Sequence, residues 1–427
     1  MKSISRKFGA LMLMAAGASV LVASSAGAQD DKKNSKSPVL AVVGDIACQP
    51  PGDLPTPLPG AAGEADHERC DNPKAPYTPN SLWQSQEATA NQIVAMKPDL
   101  VALVGDLQYQ VGEYLDFTNS FDLTYGGFKF LHRPSPGNHE FYNEHGQTGV
   151  GGYGYFAYYN GFQIDAYGKP ITTKVPDPCP QTYAGCTGPG QTEQDPQPIP
   201  RQDGQAGHFG EIGNGWYSYN LGSWHLISLN IQCGSQGVDG CSDTSPWFAA
   251  ELDWLKKDLQ KDHAECTLAY WHQPTYSAAN SLSTEGATAQ AFWQLLYDYG
   301  ADVVLNGHDH LYARYRPLDP NGTPDANRGL REFIVGTGGE TLDPVSLTGT
   351  SSNIGGDNLF NTHNLEASSG NYWGVMALTL DKKGYKWDFE SALVAPVAPP
   401  GAPAVFSDKG SASCHGGKNG GDNDDQR

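Results

Sequence analysis

VLAVVGD at residues 39–45 and LVALVGD at residues 100–106 are near copies of each other, and they decide the fold class. Each is a run of five apolar residues that stops at Gly-Asp. A short apolar run bounded by glycine predicts a buried strand. The intervening residues 81–96 have helical spacing, and Pro98 ends that helix. A strand, a helix and a second strand in this order predict an α/β layered domain.

The later part of the chain continues to alternate between strands and helices. Residues 216–221 and 224–229 alternate around a Gly-Ser pair, which predicts a β-hairpin. Segment 146–214 is rich in Gly, Tyr, Pro and Gln, so we expect irregular cover there. The remaining predictions are helices over 245–262 and 287–299 and strands over 266–271, 302–305, 333–335 and 375–380.

The first 28 residues predict a secretory signal peptide. Lys2, Arg6 and Lys7 give a basic start, an apolar run covers 8–23, and small residues at 25–28 have the A-x-A form of a cleavage site. An uncleaved anchor is the alternative, but the run is short for a membrane span. The mature chain is therefore expected to be secreted or periplasmic, without a membrane span. The predicted division is signal (1–28), linker (29–37), domain (38–393) and a Pro/Gly-rich, acidic tail (394–427) with little structure.

The composition limits the partners of the chain. Its formal net charge is −20, and removal of the three basic signal residues takes it to −23. Such a surface repels polyanions, so nucleic-acid binding is not expected. A small phosphorylated substrate is compatible with this charge if metal ions dominate the local field. The sequence leaves the oligomeric state open.

Eight cysteines in an exported chain predict disulfides. Spacing alone does not fix the connectivity, so other pairings stay open. The pairs that the spacing suggests are Cys48 with Cys70, Cys179 with Cys186, Cys233 with Cys241 and, by remainder, Cys266 with Cys414.

Polar residues at or just beyond the ends of apolar strands carry the chemistry. In open α/β sheets, ligands bind beyond the carboxyl ends of the strands, so we expect these side chains to converge. Carboxylate and imidazole groups suit divalent or trivalent metals that have no thiolate ligand. His308 and His310 straddle one residue and would project the same way from an extended segment. The candidate metal ligands are Asp45, Asp106, Tyr109, Asn138, His272, His308 and His310.

Taken together, these segments resemble the metallophosphoesterase, or calcineurin-like, superfamily. They read GD at 44–45, GDLQY at 105–109, GNHE at 137–140, an isolated histidine at 272 and GHDH at 307–310. Tyr109, three residues after Asp106, makes the set similar to the purple acid phosphatase branch, and Tyr312 and Arg314 continue that similarity. For Tyr109 the alternative is an ordinary core tyrosine. The resemblance implies that the 38–393 domain is a four-layer α/β/β/α sandwich with long irregular insertions.

The resemblance also implies two metal ions and a catalytic residue. His139 would not bind metal but would protonate the leaving oxygen or steady the transition state. One ion, Fe(III) in that branch, would be held by Asp45, Asp106, Tyr109 and His310. The other, a divalent Fe, Zn or Mn ion, would be held by Asp106, Asn138, His272 and His308.

The function that these residues predict is hydrolysis of phosphate monoesters by metal-activated hydroxide attack. Two cations about 3.5–4 Å apart clamp the attacking and leaving oxygens of such a displacement. A phosphodiesterase or nucleotidase on the same centre stays open, because specificity resides in loops such as 146–214 and 341–371. A secreted metal-binding module without catalysis is the alternative from another class.

The chain departs from the family pattern at two points. Ala47 stands where the family often has glycine, and no histidine follows His272 closely. The family's additional substrate-contacting histidine therefore has no evident replacement. The histidines that remain as candidates, each of which is also typical of an ordinary surface position, are His145, His208 and His363.

Overall fold

Two β-sheets packed face to face form the centre of the fold, which is seen here in a computed structural model. The structure describes residues 36–50, 70, 82–141, 152–160, 162–164, 170–174, 215–232, 246–279, 286–345, 352–354, 357–358, 364–394 and 403–415. All elements below lie in one compact unit, Ser37–Arg427. The predicted signal segment lies outside the described residues, so the division of the chain at 28 and 37 stays a prediction.

The strands and helices follow in chain order. The strands are β1 (Val39–Val43), β2 (Leu100–Val104), β3 (His132–Ser135), β4 (Phe162–Ile164), β5 (Pro170–Lys174), β6 (Tyr217–Leu221), β7 (Trp224–Ser228), β8 (Cys266–Tyr270), β9 (Val303–Asn306), β10 (Tyr312–Tyr315), β11 (Arg331–Val335), β12 (Ser352–Ile354), β13 (Asp357–Asn358), β14 (Leu365–Ser369), β15 (Tyr372–Asp381), β16 (Gly384–Val394) and β17 (Ser407–Ser413). The α-helices are α1 (Leu82–Met96), α2 (Tyr114–Asp116), α3 (Asp122–Thr124), α4 (Tyr153–Asn160), α5 (Pro246–Lys261) and α6 (Gly286–Asp298). Short π or 3-10 segments are Phe117–Phe121, Gly126–Leu131 and His139–Phe141.

The strand order brings several carboxyl ends to one edge. Within the described residues, the first sheet has the order β17-β16-β15-β1-β2-β3 and the second has the order β14-β10-β11-β9-β8-β7-β6. Strands β1, β2 and β3 are parallel, and so are β7, β8, β9 and β11. Parallel strands end at the same edge of a sheet. The predicted site residues follow the carboxyl ends of β1, β2, β3, β8 and β9.

Alternating side chains divide the core into three apolar layers. In β1, Leu40 and Val42 lie between the two sheets, whereas Ala41 and Val43 pack with α1. In β8, Leu268 lies between the sheets, and the opposite face of the second sheet packs on α5 and α6. This period of two is the geometry of a strand buried on both faces. The order helices, sheet, sheet, helices confirms the predicted four-layer sandwich.

Most predicted elements are present, with ends that differ by no more than three residues. The helix expected over 81–96 is α1, and the expected hairpin is β6 and β7. The prediction of irregular cover over 146–214 is wrong for α4, β4 and β5. Tyr155 and Tyr159 of α4 are buried in the core beside the first sheet, and this packing stabilises a helix whose sequence has no clear apolar stripe.

Strand β17 corrects the expectation of an unstructured tail. It pairs antiparallel with β16 from Ser407 to Ser413 and extends the first sheet. Its side chains alternate between exposed and half-buried, so it carries no apolar run. Instead, Arg314 on β10 donates to both oxygens of Asp408, at 2.7 and 3.1 Å, and the Tyr312 hydroxyl donates to Asp408 at 2.7 Å. Backbone pairing and a charged contact with the second sheet hold this strand.

The described cysteines confirm two predicted disulfides. Cys48 is bonded to Cys70, and Cys266 is bonded to Cys414. The second bond joins the start of β8 to the residue after β17. The other predicted pairs, 179–186 and 233–241, lie outside the described residues. No helix in the described part of the chain combines the length and the apolar character needed to cross a bilayer.

Candidate metal centre

Three predicted ligands lie in a strained backbone conformation. Asp45, Asp106 and His308 have φ angles of 59°, 48° and 68°. This left-handed region is rare for residues with a side chain and costs on the order of 1–3 kcal/mol per residue. Hydrogen bonds hold the turns in place: the backbone N–H of His308 lies 3.1 and 3.0 Å from the two carboxylate oxygens of Asp45. The ends of β1 and β9 are thereby fixed to each other.

The glycines before the ligands allow the backbone to turn and also allow it to lie close to the carboxylates. Gly105 has a φ of 92°, which only glycine adopts readily, but Gly137 and Gly307 are not in that region. A Cβ atom on Gly137 would lie 2.1 Å from Asp106 Oδ1, and one on Gly307 would lie 2.4 Å from Asp45 Oδ2. The loops after β3 and β9 can therefore reach the carboxylates only without a side chain at these positions.

Tyr109 lies at the centre of one half of the cluster. Its side chain is fully buried, and its hydroxyl oxygen is 3.0 Å from Asp45 Oδ1 and 3.2 Å from Asp106 Oδ2. The same oxygen is 3.0 Å from His310 Nε2, which is itself 3.4 Å from Asp45 Oδ1. The structure thus brings together the four residues that the family resemblance implies for the first metal.

The second half of the cluster shares Asp106 with the first. His272 Nε2 is 2.9 Å from Asp106 Oδ2, and His308 Nδ1 is 3.2 Å from Asn138 Oδ1. One ligand atom each from Asp106, His272 and His308 lies within 4.8 Å of the others. The four residues assigned to the second metal are therefore also neighbours, and Asp106 touches both groups.

The donor atoms fit cations. His272 Nδ1 is 2.9 Å from the Val104 carbonyl oxygen, which can only accept, so this nitrogen carries the proton. The buried Nε2 of His272 then points a lone pair at Asp106 Oδ2 and has no hydrogen bond. His310 has the same ring orientation, with Nδ1 donating to Thr341 O at 2.7 Å and Nε2 beside the Tyr109 hydroxyl group. Two electron-rich atoms at this distance need a proton or a metal ion between them, and second-sphere carbonyls of this kind orient histidine ligands.

The electrostatics of the cluster favour positive charge on the histidines. Burial alone would lower the pKa of His272, but Asp106 and Asp45 raise it to about 10. The pKa of His310 is raised to about 9, because Asp45, Asp343 and Glu340 outweigh the effect of burial. Burial also opposes ionisation of Asp106, yet His272 and His139 lower the pKa of that carboxyl group. Sites that hold a proton this strongly are suited to a cation.

His139 lies beside the cluster. Its backbone N–H donates to Asp106 Oδ1 at 2.9 Å, and its Nδ1 lies 2.6 Å from the Gln110 carbonyl oxygen. Its ring packs on Tyr109 with the centroids 4.2 Å apart, and its Nε2 is 3.9 Å from Asp106 Oδ2. Burial lowers the pKa of His139, while Asp106 opposes that effect. Because Nδ1 is held by the Gln110 carbonyl oxygen, Nε2 is the ring nitrogen on the side of Asp106.

Glu140 has a structural role that sequence reasoning did not assign. Its carboxylate accepts hydrogen bonds from the backbone N–H groups of Gly137 (2.6 Å), Leu107 (2.8 Å), Asp106 (3.0 Å) and Gln108 (3.3 Å). One side chain therefore joins the loop after β2 to the loop after β3. The GNHE segment was the available signal, but three of the four partners of Glu140 lie more than 30 residues away in sequence.

The segment that carries His308 and His310 is not extended as predicted. Backbone hydrogen bonds from Asp309 N to Gly307 O (2.8 Å) and from Leu311 N to Asp309 O (2.7 Å) make two tight turns. The buried Asp309 carboxylate accepts from Ser277 Oγ at 2.7 Å and from two neighbouring backbone N–H groups. These contacts hold the turn against the loop after β8, so the two histidines serve opposite halves of the cluster. His145, His208 and His363 lie outside the described residues.

A family match agrees with the fold described above. The family model for the calcineurin-like phosphoesterases matches residues 39–312, which is more than half of the chain, and the chain belongs to that family. Membership implies a dimetal centre. The resemblance to purple acid phosphatases is confirmed by relatives with that name.

Two relatives illustrate the extent of the likeness. Purple acid phosphatase 15 of Arabidopsis thaliana is 36% identical over 126 residues, which are 27% of this chain and 22% of that protein. The acid phosphatase of Aspergillus ficuum is 30% identical over 150 residues. These residues are 27% of this chain and 24% of that protein. The chain thus matches about a quarter of the length of these relatives. A solved purple acid phosphatase from yellow lupin seeds aligns with a TM-score of 0.49 and 17% identity, covering 87% of this chain and 53% of that one.

Proposed function

We propose that the protein is an exported phosphatase that hydrolyses phosphate monoesters with two metal ions. Its first ion would be Fe(III), and the second a divalent Fe, Zn or Mn ion. The ligands of the first would be Asp45, Asp106, Tyr109 and His310. The ligands of the second would be Asp106, Asn138, His272 and His308.

The position of the Tyr109 hydroxyl group carries this proposal. It lies within 3.2 Å of Asp45, Asp106 and His310 at once. A core tyrosine that only fills space would not place its oxygen among two carboxylates and an imidazole. A phenolate suits a trivalent iron ion, which supports the acid phosphatase branch over the general family.

The residues of the chain divide the work of the reaction. The two cations, when bound, would supply the charge that lowers the pKa of water and stabilises the transferring phosphoryl group. Asp106 contacts both halves of the cluster and would contribute a ligand to each ion. His139 is held by its Nδ1 contact with Gln110, so that its Nε2 can protonate the leaving oxygen. Its place beside Tyr109 keeps this acid next to the reacting group.

Export is supported by features outside the site. The predicted signal has the charge pattern of a secretory sequence. Two disulfides join described cysteines, and disulfides persist mainly in oxidising compartments. Secretion and periplasmic location are equally compatible with these features.

Metal analysis and a visible spectrum of the purified mature protein test the proposal. We expect two metals per chain, including iron, and a broad visible band that Tyr109→Phe abolishes. Phenylalanine fills the same volume without the oxygen, so the fold is retained. Two metals without iron or colour would contradict the Fe(III) assignment and place the chain in the general family.

Substrate preference needs a separate measurement. Turnover of p-nitrophenyl phosphate should exceed that of bis(p-nitrophenyl) phosphate at equal metal loading. A reversed preference would indicate a phosphodiesterase on the same centre. Absence of turnover on both esters with two metals bound would indicate a metal-binding module without catalysis.

A further inference from the structure

We propose that Gln273 is a positioning residue that determines which atom of the Asn138 amide faces the metal centre. The inference rests on the proposed function of Asn138 as a ligand. It concerns a residue that the resemblance leaves unassigned. Gln273 follows His272 directly, so the loop after β8 would supply both a ligand and the group that orients another ligand.

The side-chain amide of Gln273 accepts a hydrogen bond at one end and donates one at the other. Its side chain is buried, with 1% exposed, and its Nε2 donates to Asn138 Oδ1 at 3.3 Å. Its Oε1 accepts a hydrogen bond from the buried Gln232 Nε2. Because an amide has one acceptor end and one donor end, Gln232 at the acceptor end leaves the donor end facing Asn138.

The orientation of the Asn138 amide matters for metal binding. A cation binds the carbonyl oxygen of an amide and is repelled by its NH2 group. The oxygen has two lone pairs, so one can accept from Gln273 while the other faces the cluster. His308 Nδ1 lies 3.2 Å from the same oxygen, which shows that Oδ1 faces the second group of ligands. A donor at position 273 therefore selects the orientation that a metal requires.

Gln232 is itself held by a chain of hydrogen bonds that reaches the core. Its backbone N–H donates to Asn230 Oδ1 at 3.0 Å, and Asn230 N donates to Glu251 Oε1 at 2.7 Å. Glu251 is a fully buried residue of α5. Asn306 Nδ2 is 3.4 Å from the backbone oxygen of Gln273. The positioning group is thus fixed at its backbone and at its side chain.

If Gln273 only fills the core, an apolar side chain of the same length should replace it without loss of metal binding. If Gln273 orients Asn138, the same replacement should weaken metal binding. Gln273→Met keeps the length of the side chain but removes the donor. Gln273→Glu keeps the shape but places an acceptor against Asn138 Oδ1, which favours the reversed amide. Gln290→Met is the matched control, because Gln290 lies on α6 and donates to the Pro320 carbonyl group away from the cluster.

The experiment measures metal content and zinc affinity by competition with a chromophoric chelator, in the full-length mature protein. We expect Gln273→Met to weaken the second metal site roughly 10–100-fold, the usual effect of losing an outer-sphere contact, and Gln273→Glu to weaken it at least as much. The first metal should stay bound with its visible band, which shows that the variants are folded. Wild-type affinity in both variants, tighter binding in Gln273→Glu, or an equal loss in Gln290→Met would overturn the inference.

An Asn138→Leu variant separates this inference from the proposed function. If Asn138→Leu loses the second metal while both Gln273 variants keep it, Asn138 is a ligand and the positioning role of Gln273 is wrong. If Asn138→Leu keeps both metals, the assignment of Asn138 as a ligand fails, and the inference fails with it. Loss in Asn138→Leu and in both Gln273 variants supports both.

Discussion

The two described disulfides make a quantitative prediction about stability. Cys266–Cys414 joins residues separated by 148 positions, whereas Cys48–Cys70 joins residues separated by 22. In the chain-entropy model the stabilisation grows as 1.5RT times the logarithm of loop length, which gives about 5 kcal/mol for the long loop and about 3.4 kcal/mol for the short one. Replacing both cysteines of a pair by serine should therefore cost about 1.7 kcal/mol more for the long loop.

Equilibrium urea unfolding of the two double variants measures this difference. Cys48, Cys70 and Cys266 are almost fully buried, and Cys414 is partly buried. Each double variant therefore buries serine hydroxyl groups, and the pair Cys48→Ser/Cys70→Ser controls for that cost. Loss of the Cys266–Cys414 bond also removes one of the links that hold β17, which adds to the effect in the same direction. Equal losses, or a larger loss for the short loop, would refute the loop-entropy reasoning. Turnover under native conditions should be unchanged in the long-loop variant, because the contacts described for β17 and Cys414 involve none of the proposed ligands.

Three further predictions concern single residues. Asp106→Asn should lose both metals and nearly all turnover, since its carboxylate touches both halves of the cluster; full metal content by elemental analysis would contradict this. His139→Ala should keep both metals but lower kcat roughly 10²–10⁴-fold. The loss should be larger on an alkyl phosphate than on p-nitrophenyl phosphate, because the p-nitrophenolate leaving group needs less protonation. Equal losses on both esters would contradict the role of His139 as the acid. Burial raises the pKa of Glu251 well above its usual range despite the Asn230 backbone donor. Glu251 should therefore contribute a loss of stability as pH rises above the ordinary glutamate range, of up to about 1.4 kcal/mol per pH unit. Burial also raises the pKa of Glu332 and Glu340, so Glu251→Gln should make the slope in urea unfolding shallower than in the wild type without abolishing it. Parallel pH profiles of the variant and the wild type would show that Glu251 does not contribute.

Apolar runs predicted the central strands well because those strands are buried on both faces. In β1 and β2 nearly every side chain is buried, so the sequence shows a continuous apolar run. Strand β3 reads His-Arg-Pro-Ser and gives no such signal, although all four residues are buried. His132 Nδ1 lies 3.2 Å from the Tyr159 hydroxyl group, and Ser135 Oγ donates to the Leu229 carbonyl group at 2.7 Å. Tertiary hydrogen bonds, which a local pattern does not contain, stabilise that strand.

As with the strands, part of the candidate site could be predicted from local sequence and part could not. The residues proposed as ligands lie at strand ends, where the motif and the sheet edge coincide, and the structure brings them together. The supporting residues Glu140 and Gln273 could not be assigned, because their roles depend on partners that are more than 30 residues away. A one-dimensional pattern identifies the type of a side chain but not the atoms that it contacts.

The division of the ligands between the two sheets has a mechanical consequence. Asp45, Asp106 and Asn138 follow strands of the first sheet, whereas His272 and His308 follow strands of the second. A cation held by both sets would act as a reversible cross-link across the sheet interface, and its binding free energy would add to that of folding. The sheets could then separate only by releasing the ions. Resistance to unfolding and catalytic competence would be lost in the same event, so metal supply would set the lifetime of the protein as well as its activity.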